Sequence, residues 1–174
     1  MPILPKDRDP ALITVRRGGT LTDDDHRLLA TWAIACAEHV LPLFEAERPD
    51  DPTLRTTLEL ARGWVRGEVP MREAHQRSFR ANAAGKGLPD PARFAALATG
   101  QAVAVAHVAA HDLGAAAYAI RAASAAAPPA EQDAAGDAER AWQRERIPAD
   151  LRAAVLADQR ARSAICWGAF DDLV

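Results

Sequence analysis

The chain has 174 residues and a mass of 18.6 kDa, which predicts one domain able to bury a real core without disulfide or metal staples. Apolar residues make up 49% and aromatics only 5%, and 41 residues are alanine, a strongly helical bias. With 26% charged residues and a formal net charge of −3, a disordered polyelectrolyte and a cationic nucleic-acid binder of the usual kind are excluded.

Residues 1–21 read as an extended N-terminal strap, with 11–15 its one strand-like run. Its first ten residues carry three prolines and two aspartates where a secretory signal needs an apolar stretch, so no signal peptide is expected. Thr22 then reads as an N-cap with Asp23, Asp24 and Asp25 in the first helical turn, where carboxylates meet the positive end of the helix dipole. Leu29, Trp32, Cys36, His39, Val40 and Leu43 follow at helical steps, and Pro42 should kink or end the helix near Leu41. Asp51-Pro52 and Asp90-Pro91 are start signals for further helices, and Pro70 opens another through Met71, Ala74, His75, Ser78 and Phe79.

The Ala-rich stretch from Pro91 to Ala127 would be a rod of about 55 Å, long beside a radius of gyration of about 16 Å for such a chain. A break at 111–114, with Asp112 capping the second half, makes it a central hairpin or kinked spine. Its near-uncharged part, 94–120, carries Gln101, His107, His111 and Asp112, too polar for a membrane span, and reads as buried core. Residues 128–137 read as a surface linker, followed by helices around 138–146 and from 149. The apolar tail 164–170 should dock on the body. The expectation is a single all-α domain over 1–174, a bundle of about six to eight helices.

His107 and His111 are four residues apart, the spacing of two metal ligands on one helix face, and Cys36 with His39 could supply two more. Val108 stands where a zinc protease needs its glutamate, which disfavours hydrolytic zinc chemistry. The expectation is packed histidines and no cofactor, with metal at these four residues the alternative. Arg16 and Arg17 precede a glycine turn and a helix start, the outline of an anion cradle. Three aspartates in that first turn would repel a phosphate, so pairing of the arginines with those acids or with Glu38 is expected. Cys36 and Cys166 read as small buried hydrophobes in a reducing cytosol, and the four tryptophans as packing keystones with a pocket-lining alternative.

Four colinear segments carry a resemblance. They are ITVRRGGTLTDDDHRLLATWA (13–33), CAEHVLPLF (36–44), GQAVAVAHVAAHDLGAAAYAI (100–120) and DQRARSAICW (158–167). From about residue 9 to 170 the chain resembles the immunity-five-like family of bacterial immunity proteins, with Ser163 and Ala164 departing from the family's usual R-N-D-I-C-W. The resemblance implies a helical protein that binds and neutralises a cognate protein toxin without catalysis, while cysteine usage, charge and the polar interruptions of 94–120 lead us to expect a cytoplasmic protein with neither nucleic acid nor membrane as partner. The positions it marks are Arg16, Arg17, His26, Trp32, Glu38, His39, His107, His111, Tyr118, Arg160 and Trp167, with Cys166 in the C-terminal motif. The rival reading is a small-molecule or metal-dependent protein with a cleft formed by His107, His111, Glu38, His39, Trp32 and Tyr118.

Overall fold

The computed structural model describes residues 4–5 and 8–173, so much of the expected signal-free N-terminus lies outside the described residues. The described chain is an all-α bundle of eight helices: α1 (Asp23–His39), α2 (Leu41–Glu47), α3 (Thr53–Val65), α4 (Met71–Ala84), α5 (Asp90–Ala104), α6 (Asp112–Ala126), α7 (Gln132–Glu145) and α8 (Arg152–Arg162). Short 3-10 turns join several of them.

The expected strap is not extended. Pro10–Leu12 and Val15–Arg17 are 3-10 turns, and a single bridge pairs Thr14 with Leu21. Leu12 and Leu21 are buried, so the segment is a hooked loop pinned at both ends. Helix α1 begins as its sequence requires, with the Thr22 hydroxyl accepting from the Asp25 amide. It stops at His39, and α2 leaves at 41° with Pro42 in its first turn, where the missing N–H costs nothing.

Helices α5 and α6 form the central hairpin and pack most extensively on each other. Helix α1 lies across both, α2, α3 and α4 gather on the α5 side, and α7 covers α6. Most alanines of this hairpin are fully buried. Each buried methyl removes only about 0.8 kcal/mol worth of apolar surface from water, so cohesion comes from many such contacts at short range. Gly100 shows how short: a Cβ there would lie 2.0 Å from Asn82 Oδ1 and 3.2 Å from the Ser78 carbonyl of α4. Larger side chains, among them Phe44, Leu29, Leu54, Leu58, Leu113 and Phe170, fill the space around the hairpin and are fully buried. No single helix among the described residues is long and apolar enough to cross a membrane.

Three local expectations are corrected. The break in the spine comes earlier and is longer: α5 ends at Ala104, residues 105–111 turn, and His111 rather than Asp112 occupies the cap of α6. The linker 128–137 is in fact mostly helix, since α7 starts at Gln132. Gly136 lies buried in α7, its missing side chain facing Ile120 and Ser124 of α6 at ordinary contact distance. Of the four tryptophans only Trp32 is fully in the core, and Trp167 is 42% exposed. The tail does dock as expected, through Cys166, Ala169 and Phe170.

Candidate functional site

The break at 105–111 decides where the histidines go. Because α5 ends before His107, His107 and His111 do not share a helix face, and the metal-ligand spacing read from them is overturned. His111 Nδ1 is 2.7 Å from Gln101 Oε1, and burial lowers its pKa to about 4. His107, beyond the end of α5, stacks on His75 of α4, with ring centroids 4.4 Å apart. Burial, with the charges of His75, Arg17 and Arg8, holds its pKa below the usual histidine range. Its Nδ1 is enclosed and has no hydrogen-bond partner.

His39 lies at the opposite end of the α1 axis. Its Nδ1 is 2.6 Å from Glu139 Oε2, and its ring stacks on Trp142 with 3.7 Å between centroids. Glu139 and Gln143, one turn apart on α7, are buried there, and the Gln143 carbonyl accepts from Trp32 Nε1 at 2.9 Å. This polar seam fixes α7 on α1. Cys36 is fully buried and its thiol pKa is pushed well up by burial. The four residues of the metal alternative, His107, His111, His39 and Cys36, are not brought together as one ligand group. Among the described residues no group of three or more His, Cys, Asp or Glu side chains is arranged to hold a metal ion.

The cleft expected from His107, His111, Glu38, His39, Trp32 and Tyr118 does not form either. Glu38 is on the α1–α3 surface, paired with Arg62 at 2.5 Å. Tyr118 is on the far side of the hairpin, 4.9 Å from Trp167. There the Arg121 guanidinium lies 4.1 Å from the Phe94 ring and 4.3 Å from Trp167, beside an open groove of about 640 Å³. Trp167 has a φ of 59°, a left-handed conformation rare for a bulky side chain. Cys166 beside it is buried and its thiol is pushed up to about 11. Arg160 is exposed on α8. In the position where the family pattern departs, the Ser163 hydroxyl donates to Asp171 Oδ1 at 2.6 Å and accepts from the Phe170 amide, closing the tail.

What the fold does assemble is a groove of about 340 Å³ between the hooked N-terminal loop, the start of α1, the α3–α4 connection and the 105–107 turn. Arg16, Arg17, His26, Trp64 and His107 line it. The expectation that the arginines pair with the first-turn acids is met by Arg16 with Asp23 and missed by Arg17. His26 is buried against Trp64, ring centroids 5.0 Å apart, and its Nε2 lies 2.6 Å from the Val105 carbonyl, so that nitrogen donates. Around the rim, Met71 of α4 and Val15 of the loop are exposed at 40% and 60%. Phe79, next to His75, is 64% exposed, although the α4 periodicity had grouped it with Ala74 and Ser78.

Sequence reasoning gave no role to His75 beyond its helix face, and none to Glu139, Asp158 or Arg162. The last three carry a readable signal: they are polar residues at apolar-period positions of amphipathic helices, spaced four apart from Gln143 or from each other. His75 carries none, because its partner arrives from a turn whose course is set by tertiary packing.

A family model described as Imm-5 like putative immunity protein matches residues 19–150. The match takes in α1 to α7 with His26, Trp64 and His107. It is narrower than the resemblance over 9–170, leaving Arg16, Arg17, Arg160, Cys166 and Trp167 outside. No curated protein and no solved structure matches the chain.

Proposed function

The chain belongs to the family of Imm-5 like immunity proteins, and on that premise we propose that it binds a cognate bacterial protein toxin in the cytoplasm and neutralises it by contact, without chemistry of its own. The single observation that carries the reading is the family match over most of the helical body. The surface is consistent with it. Among the described residues five large hydrophobics are exposed; Met71 lines, and Val15 adjoins, the groove that also holds arginine and tryptophan, and Phe79 lies two turns further along α4. Exposed apolar residues grouped beside such side chains are what protein interfaces use as anchors.

The experiment is co-expression with the toxin encoded next to this chain. Growth should be rescued, and the two proteins should co-purify in a fixed ratio. Met71→Ala with Phe79→Ala should weaken that complex by about tenfold or more, the loss of one good interface anchor. Failure of the wild-type chain to rescue growth, or to bind the toxin, overturns the reading.

A further inference from the structure

The groove under the N-terminal loop differs from the rest of the molecule in charge. The whole chain is net negative, yet Arg8, Arg16, Arg17 and Arg27 gather around this groove and the adjacent His107. Asp23 and Asp24 answer two of them, Arg16 and Arg27, at exposed positions. The Arg17 side chain has neither a hydrogen bond nor an ion pair among the described residues, and the three arginines that line the groove face one lining aspartate, Asp23, with Asp24 and Asp25 alongside.

The two histidines of the groove differ in the same way. His26 spends its Nε2 on the Val105 carbonyl, whereas the His107 ring, which lines the groove, makes no hydrogen bond among the described residues, its enclosed Nδ1 included. The helix end contributes little, because Thr22 caps it and Asp25 sits in its first turn. Binding of an anion here would therefore rest on side chains. A guanidinium without a carboxylate and an imidazole without a partner, lining one groove beside an indole wall, make up a donor set for an oxygen anion. A volume of about 340 Å³ admits such a group with a small organic carrier.

We propose that this groove is an oxyanion-binding site for a phosphate or carboxylate group, with Arg17 as its principal contact, His107 as a second donor, and Trp64 as the wall for whatever carries the anion. It does not depend on toxin neutralisation, and a negative toxin assay would leave it standing.

The test is an NMR titration of the full chain with inorganic phosphate at physiological ionic strength, where surface charge alone is screened. The reporters are the Trp64 indole N–H, the Arg17 Nε–H and the His107 ring. Saturable shifts at these groups are expected. Arg17→Ala should weaken the affinity read at Trp64 by about tenfold or more, as expected for loss of a charge-assisted contact. Arg55→Ala, which touches only the Glu45 pair on the α2–α3 surface, should leave it unchanged. Arg17 is exposed and its side chain makes no hydrogen bond or ion pair among the described residues, so the variant should melt like the wild type. Succinate in a parallel titration separates the sources: phosphate binding the tighter assigns a phosphate group, and succinate binding equally or better assigns a carboxylate. Shifts that fail to saturate with either anion, or that survive unchanged in Arg17→Ala, overturn the proposal.

Discussion

Asp112 is a residue whose chemistry is strongly altered by its surroundings. It is fully buried at the first turn of α6, with Oδ1 accepting from the Leu113 amide at 2.6 Å and Oδ2 unpartnered. Burial raises its pKa from 3.8 to about 7, against the pull of Arg162, which Asp158 shares. A folded-state pKa above the unfolded one means the native state holds the proton more tightly. The stabilisation is thus complete below about pH 4 and is lost as pH rises through about 7. Asp112→Asn removes this titration while keeping the oxygen that accepts from Leu113. Between pH 5.5 and pH 8.5 the wild type should lose on the order of 2 kcal/mol relative to the variant in urea melts. Equal slopes of stability against pH for the two proteins would show that Asp112 titrates normally.

Single helices were legible where the signal was local and obscure where it was not. Thr22, Pro42 and Pro70 mark boundaries that the structure keeps, since capping and the missing proline N–H act within one turn. Gly136 shows the opposite: glycine after two prolines reads as loop, yet packing on α6 holds it in α7. Two of the buried helical glycines, Gly136 and Gly100, should then respond with opposite signs to alanine. At Gly136 a Cβ meets Ile120 at 3.6 Å, so Gly136→Ala should stabilise by up to about 1 kcal/mol through helix propensity. At Gly100 the Cβ would overlap Asn82, so Gly100→Ala should destabilise by about 1–3 kcal/mol despite the same propensity gain. Denaturation midpoints at an unchanged slope in urea will distinguish them.

Across the whole molecule, the C-terminal helix and tail are held to the centre by Arg162. Its side chain is buried, pairs with Asp158 through Nε at 2.8 Å, donates to the Ala110 carbonyl at 2.8 Å and reaches Asp112 at 3.4 Å. It thereby fastens α8 to the turn that separates α5 from α6. Arg162→Met would strand two buried carboxylates and should cost about 3–5 kcal/mol in thermal or urea melts. Adding Asp112→Asn and Asp158→Asn should recover most of that loss, because the penalty comes from the unpaired charges. A triple variant no more stable than the single one would show that the packing of the arginine stem, and not its charge, holds α8.

The sequence by itself determined the all-α class, most helix boundaries, the buried Ala-rich hairpin and the burial of both cysteines, because propensity, capping and periodicity act over a few residues. It also placed Arg16, Arg17, His26 and His107 among the candidates without showing that they meet. Only the tertiary structure decided that His107 and His111 do not share a helix, that Glu38, His39 and Tyr118 face three different ways, and that Arg17 pairs with no acid among the described residues. The first follows from the course of one turn, residues 105–111, and the others from which element packs beside each residue. Such contacts join residues tens of positions apart, and no local pattern encodes them.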